Sequence, residues 1–175
     1  MRHPGLDLVN SLHLDGRGGV NDRLTDDAWL ERFRKRWELG AINETEWQRL
    51  QALRALLRAL AESLTDGTPA LGDIEQLSRW LPPLHSRLST SDGTVHLDIE
   101  VDDELTNPTG RVAFAFARLI ADQAERIRVC ANPDCRWAFY DESRNRTRRW
   151  CSSQACGNVM KVRRHRARHR ATYPT

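Results

Sequence analysis

All four cysteines of this 175-residue chain lie between residues 130 and 156, and the first 129 residues contain none. They form two pairs of equal spacing, Cys130-x4-Cys135 and Cys151-x4-Cys156, separated by fifteen residues. Clustered cysteines in a reducing cytosol favour metal binding over disulfides. The pattern predicts a closed tetrahedral site in which four thiolates hold a structural Zn²⁺ ion.

The cysteine spacing leaves two alternatives open. Four cysteines can also be small buried hydrophobic residues, and four thiolates can hold an iron–sulfur cluster. Zinc pairs more often have two residues between the ligands, although spacers of two to four residues are common. The confinement of every thiol to one short segment nevertheless favours a single metal site.

The rest of the chain argues against membrane association. No stretch approaches the roughly 18 to 20 uninterrupted apolar residues of a membrane span. The opening segment MRHPGLDLVNSLHLDGRGG also lacks the apolar run of a signal peptide. We therefore expect a cytoplasmic protein.

Charge divides the chain into two parts. From residue 126 to the end there are thirteen Lys and Arg against three acidic residues, a net charge of +10, whereas residues 1–125 carry −7. This asymmetry predicts an acidic folded body at residues 1–127 and a basic module for a polyanion at residues 128–175. Below, "body" and "module" have these bounds.

The body is predicted to be mainly helical. In TDDAWLERFRKRWEL, Thr25 is the expected N-cap residue of one helix. In the next helix, Asn43 and Glu46 predict a capping box and Gly67 predicts the end. An apolar face repeats along this second helix at Trp47, Leu50, Leu53, Leu57, Leu60 and Leu64.

The segment after residue 70 predicts a short helix in LGDIEQLSRWL. Beyond it, the spacing of the apolar residues changes from a helical to an alternating pattern. TVHLDIEVD alternates apolar and polar residues, which predicts a strand with one buried face, and Asp92-Gly93 predicts a hairpin turn from the partner LHSRLST. A core helix follows in TGRVAFAFARLIADQAERI. The expected fold class is α+β: a mainly helical N-terminal domain with a small β-hairpin, followed by a four-cysteine zinc-finger module with a basic helix.

The segment after the last cysteine is basic around the whole circumference of a predicted helix. It lacks the apolar face of a membrane-surface helix. A solvated charged helix normally contains acidic as well as basic residues, but no acidic residue follows Glu142. We therefore predict nucleic-acid binding, with a disordered basic tail as the alternative. The candidate contacts are Arg144, Arg146, Arg148, Arg149, Lys161, Arg163, Arg164, Arg166, Arg168 and Arg170.

Two other functions compete with DNA binding. RNA is the nearest rival partner, because a basic zinc module does not by itself distinguish duplex DNA from structured RNA. A zinc enzyme acting on nucleic acid needs an open metal position, whereas four cysteines close the site. The sequence shows no nucleophile motif either, so no enzymatic activity and no catalytic residue are predicted.

The segment from Cys130 to Arg166 resembles the CGNR zinc-finger family, which is named for its fourth cysteine and the three residues after it. The body, with DLVNSLHLDGRGG and GRVAFAFARLIAD, is similar to the ABATE-type domain that precedes this finger in bacterial proteins described as stress-induced transcription regulators. The resemblance implies a DNA-binding transcription regulator whose zinc ligands are Cys130, Cys135, Cys151 and Cys156. One departure is Val159, which replaces the signature arginine.

Two further expectations concern the body and the assembly. Asn10, His13, Asp15 and Arg17 lie beside a glycine-rich turn and could line a small-molecule pocket, which the resemblance makes attractive; the alternative is a surface loop. A homodimer is compatible with a small module that reads few base pairs, although no heptad marks an interface.

Overall fold

The computed structural model describes residues 2–14, 19–67, 69–102 and 107–172, and for residues 170–172 the backbone alone. About half of the described residues are helical, and the strands form small antiparallel pairs. The predicted α+β, mainly helical class is therefore confirmed. Within the described ranges, none of the helices combines the length and the apolar character needed to cross a membrane.

The helices and strands follow one another in a simple order. Short 3₁₀ turns at Arg23–Thr25 and Ala124–Arg126 connect some of them, and a single π-helical turn at Ser153–Gly157 precedes the last helix. In chain order they are α1 (Pro4–Val9), β1 (Leu12–Leu14), β2 (Val20–Asp22), α2 (Asp27–Arg36), α3 (Glu44–Thr65), α4 (Leu71–Ser78), β3 (Leu84–Ser91), β4 (Thr94–Val101), α5 (Pro108–Gln123), β5 (Ile127–Val129), β6 (Ala138–Tyr140) and α6 (Asn158–Thr172).

Helix α3 lies at the centre of the core and packs against α1, α4 and α5. Its predicted apolar face is buried, with Leu50, Leu53 and Leu57 fully inaccessible. Helices α1 and α5 also touch closely, because a Cβ atom built on Gly5 would lie 2.4 Å from the Phe116 ring. This contact requires glycine at position 5.

The helix caps show where local sequence signals were right and where they were wrong. Asn43 caps α3 and accepts a hydrogen bond from the Glu46 N–H at 2.9 Å, as predicted. The Glu46 carboxylate is instead engaged at the start of α5, where the Thr109 hydroxyl donates to it at 2.7 Å. The predicted N-cap Thr25 is wrong, because Asp26 caps α2 and accepts from the Ala28 N–H.

The predicted β3–β4 hairpin is present, and Asp92 and Gly93 at its turn both have positive φ, as a type I′ turn requires. The predicted burial of one face is wrong. Leu88 is 72% exposed, Val95 64% and Leu97 63%. Alternation determines which side chains share a face of the hairpin. Its apolar face is exposed because, within the described part of the chain, no other helix or strand packs extensively on the hairpin.

The short β5–β6 pair joins the start of the module to the body. Ile127 and Ala138 are buried in the same core as α3. Asn10, at the end of α1, donates to the Ala138 carbonyl and accepts from the Ala138 N–H, both at 2.8 Å. The boundary between residues 127 and 128 stays a prediction, and β5 lies across it.

Candidate metal centre and basic helix

The structure brings the four cysteines together. Their sulfur atoms all lie within 4.8 Å of one another, and Cys151 is 3.6 Å from Cys135 and 3.7 Å from Cys156. Four thiolates bound tetrahedrally to zinc at about 2.3 Å would lie about 3.8 Å apart. The cluster therefore fits the donor number, donor type and size of a four-cysteine zinc site.

Asn132 organises the turn between the first two cysteines. Its carbonyl accepts from the N–H groups of Cys135 and Arg136, and Arg136 takes a left-handed conformation with φ of 49° to complete the turn. The Asn132 side chain also donates to the Cys156 sulfur at 3.5 Å. Sequence reasoning missed this second contact, because nothing local links residues 24 positions apart.

The electrostatics of the cluster favour a bound cation. Burial raises the pKa of Cys135 to about 11 and also raises the pKa of Cys151. Burial acts in the same direction at Cys156, but hydrogen bonds from Asn132 and the neighbouring thiols outweigh it and lower that pKa. Ionising Cys135 and Cys151 at neutral pH therefore requires a positive charge nearby, which a divalent metal supplies.

Asp141 organises the loop between the cysteine pairs and was missed from the sequence. Its buried carboxylate accepts from the N–H groups of Ser143 at 2.9 Å and Arg148 at 2.8 Å. Burial opposes ionisation, yet these hydrogen bonds hold the pKa of Asp141 below its usual value. The Asp-x-Ser spacing is typical of an Asx turn and could have identified the residue.

Some predicted DNA-contacting arginines are engaged by other groups of the same chain. Arg148 donates to the carbonyls of Trp150, at 2.8 Å, and Cys151, so it braces the turn that holds a thiol. Arg146 forms an ion pair with Glu125 at 2.9 Å. These local roles leave less of the loop's charge available to a partner.

The other two loop arginines have different surroundings. The Arg149 guanidinium lies 5.4 Å from the centre of the Trp150 ring, a cation–π distance. Arg144 is exposed. Of the four loop arginines, Arg144 is thus the one for which the structure describes a side chain open to solvent and no specific internal contact.

Helix α6 starts directly after Cys156 and Gly157, and residues 161–169 are all exposed. Arg163 pairs with Asp134 of the first cysteine turn, which fixes one side of the helix against the four-cysteine cluster. The helical period places Lys161, Arg164 and Arg168 together on the opposite side. Arg166 is exposed between these two sides, and the Arg170 side chain lies outside the described atoms.

The four residues predicted to line a ligand pocket are not described as one site. The Asn10 amide is engaged by Ala138 on both its donor and its acceptor side. His13 packs edge-on against Trp137, with 5.6 Å between the ring centres. Asp15 and Arg17 lie outside the described residues.

The fold and the four-thiol cluster define a zinc-finger protein. The chain belongs to the family described as "Putative stress-induced transcription regulator" (ABATE), which matches residues 2–123, and residues 126–169 match the CGNR zinc finger. The resemblance inferred from the sequence is therefore confirmed. None of the curated proteins compared with the chain matches it.

Proposed function

We propose that this protein is a DNA-binding transcription regulator whose basic helix α6 contacts DNA. The observation that carries the proposal is that this helix is exposed along residues 161–169 and contains five basic and no acidic residues there. Its start is attached to the four-thiol cluster at Cys156. The family description supports a role in transcription.

The four cysteines are proposed to hold one Zn²⁺ ion with a structural role. Zinc would supply positive charge and fixed tetrahedral geometry, and four protein ligands leave it no open position for a reacting water. Cys130 and Cys135 fix the turn that presents Asp134, and Cys156 fixes the start of α6. The cluster therefore determines where the basic helix points, which supports a regulator and not an enzyme.

The side of α6 opposite Arg163 is the proposed DNA-facing surface. Because Asp134 holds Arg163 toward the cysteine turn, the side with Lys161 and Arg164 is directed away from the module. Arginine and lysine side chains at this spacing can follow a row of phosphates. Val159 does not contribute, since its side chain has no hydrogen-bond donor.

The remaining expectations extend this proposal. A cytoplasmic location fits a protein that acts on DNA, and a second copy would double the number of base pairs read. Sensing of a small ligand is assigned to the body, because the described cavities with the most aromatic and charged lining lie there or at its junction with the module.

Metal analysis tests the first half of the proposal. We expect one zinc per chain, a colourless protein, and loss of both zinc and DNA binding in Cys135→Ser, because the ligand set becomes incomplete. Thr90→Ser, on the exposed hairpin, is the matched control and should retain zinc. A protein without metal, or a brown one that contains iron, would contradict the proposed site.

A salt titration on duplex DNA tests the second half. The double variant Lys161→Ala/Arg164→Ala should bind more weakly and reduce the slope of log affinity against log salt by about 2, since each phosphate contact contributes about 0.9. Zinc content should not change. Arg79→Ala/Arg118→Ala removes the same charge from exposed sites in the body and should leave the slope unchanged.

Two outcomes of this titration would overturn the proposal. Equal slopes for the two double variants would show that α6 is not the DNA-binding element. Preferential competition by structured RNA at equal nucleotide concentration would assign the basic helix to RNA instead.

A further inference from the structure

A concave cleft lies between α1, α2 and the segment that precedes β6, with a volume of about 360 Å³. This volume is near the lower end of the range for small-molecule sites. Its walls come from both parts of the chain, since Trp137 belongs to the module and the other lining residues belong to the body. The cleft is therefore formed only where the module packs on the body.

One face of α2 supplies a wall of the cleft. Trp29, Arg32, Phe33 and Arg36 follow the i, i+3, i+4, i+7 spacing that places side chains on the same side of a helix. The rings of Trp29 and Phe33 are stacked, with 5.0 Å between their centres and an angle of 13°. This wall thus alternates flat aromatic surface with guanidinium groups.

Another part of the lining repeats the same chemistry. The Arg23 guanidinium lies 5.9 Å from the centre of the half-buried Trp137 ring, and Arg2 also lines the cleft. Aromatic rings and guanidinium groups therefore line the cavity from more than one segment of the chain. Such surroundings suit a flat ligand, because rings stack on one another and on guanidinium planes.

The charge of the cleft is unbalanced. Among the described residues, four arginines line it, and Asp7 is the one acidic residue of the lining. The Asp7 carboxylate already accepts from the Trp37 indole at 3.2 Å and lies 3.6 Å from Arg36. Within the described residues, Arg2, Arg23 and Arg32 have no ion-pair partner, so the cleft keeps a net positive charge.

We propose that this cleft binds a small organic anion that carries a planar aromatic ring. The guanidinium groups of Arg32 and its neighbours pair with the anionic group, and the ring lies against Trp29 and Trp137. A concave site of this size encloses a small molecule, whereas a nucleic-acid backbone is better served by the convex surface of α6. The proposal does not depend on DNA binding.

The binding test uses 2-naphthoate as the probe and calorimetry on the full-length, zinc-containing protein without DNA. We expect saturable binding of one molecule per chain at low salt. We expect at least about fivefold weaker binding of three control compounds. The neutral 2-naphthamide lacks the negative charge, whereas decalin-2-carboxylate and inorganic phosphate lack a planar aromatic ring. Equal binding of the amide, or no binding of 2-naphthoate, would overturn the proposal.

Two variants of α2 locate the binding site. Arg32→Gln should weaken 2-naphthoate binding at least about fivefold, because it removes an exposed guanidinium that no internal partner uses. Lys35→Gln removes the same charge from the same helix outside the cleft and should change the affinity less than about twofold.

Equal effects of these two variants would place the probe elsewhere and overturn the assignment. The same two variants also distinguish the alternative occupant. A loss of DNA affinity in Arg32→Gln without any 2-naphthoate binding would make the cleft part of the DNA interface and would overturn the small-molecule proposal.

Discussion

Helices α3 and α6 both contain several arginines, but the structure uses these side chains in opposite ways. In α3, Arg54 is 8% exposed and donates to both carboxylate oxygens of Asp22, at 2.5 and 2.8 Å. In α6, residues 161–169 are all exposed. The comparison teaches that arginine content indicates a polyanion-binding surface only where the fold has not already engaged the guanidinium groups.

A second arginine of α3, the half-buried Arg58, strengthens this contrast. Arg58 donates to the carbonyl of Val9 at 3.0 Å and to that of Arg136 at 2.6 Å, so it connects the body to the first cysteine turn. Arg136 itself pairs with Glu62 of α3 at 2.6 Å. Arg58 of α3 therefore connects the two parts of the chain, whereas the basic side chains of α6 between residues 161 and 169 are exposed.

The largest expected difference in unfolding free energy is between arginine-to-alanine variants of α3 and of α6. Arg54→Ala should lower the free energy of unfolding by about 3 kcal/mol, because it leaves Asp22 and a buried hydroxyl without their partner. Arg164→Ala should change it by less than about 0.5 kcal/mol, since the side chain is exposed. Urea denaturation of both variants measures the difference.

DNA affinity at fixed salt should show the reverse order under conditions where both variants are folded. Arg164→Ala should weaken binding, and Arg54→Ala should not. Equal losses of stability in the two variants would show that α6 also packs on the protein, and the contrast between the helices would fail.

The sequence predicted the features that depend on neighbouring residues. Asn43 and Gly67 marked the ends of α3, and Asp92-Gly93 marked the turn of the hairpin. The cysteine spacing identified the cluster whose sulfur atoms the fold brings within 4.8 Å. In each case, the physical cause acts within one turn or one short segment, so the pattern contains the necessary information.

Features that depend on distant partners could not be predicted in this way. The alternation in β4 indicated an apolar face, but not that Leu97 would remain exposed. The Glu46 side chain did not take its predicted part in the capping box, because Thr109, 63 positions away, engages its carboxylate. Charge counting likewise could not show that Glu125 pairs with Arg146, because such pairs form only when the chain has folded.

Histidines provide a second way to sharpen the comparison between the body and α6. His3 caps α1 with its Nδ1 accepting from the Gly5 N–H, while its Nε2 lies 3.2 Å from the Ala115 carbonyl. Burial lowers the pKa of His3 from 6.5 to about 4. The ring is therefore neutral in the folded state at neutral pH, with Nδ1 unprotonated.

The pH dependence of stability follows from this shift. Between pH 6.5 and about 4 the unfolded chain binds a proton at His3 that the folded chain does not. Stability contributed by the neutral ring is thus present above pH 6.5 and is lost as pH falls toward 4, on the order of 3 kcal/mol in total. His3→Asn keeps a capping side chain without this titration, so its unfolding free energy should depend less on pH across that range.

His165→Gln in α6 is the matched control for this measurement, because that ring is exposed. Its stability should follow the wild-type pH curve. A His3→Asn curve that also follows the wild type would mean that folding does not shift the pKa of His3.

The smallest expected change in unfolding free energy concerns the residue that caps the start of helix α2 in the body. Helix α2 begins at a side-chain cap, in which Asp26 accepts from the N–H groups of Ala28 and Trp29. Asp26→Ala should lower the unfolding free energy by about 1 kcal/mol, and Asp26→Asn by only a few tenths, because asparagine caps about as well. Thr25→Ala removes the neighbouring hydroxyl and should cost less than about 0.5 kcal/mol, since that residue is exposed and does not cap the helix. Thermal denaturation at one pH can rank the three variants. If Thr25→Ala were the most destabilising of the three variants, helix α2 would begin one residue earlier, as the sequence predicted. The position of Trp29 in the cleft lined by α2 would then have to be reassigned.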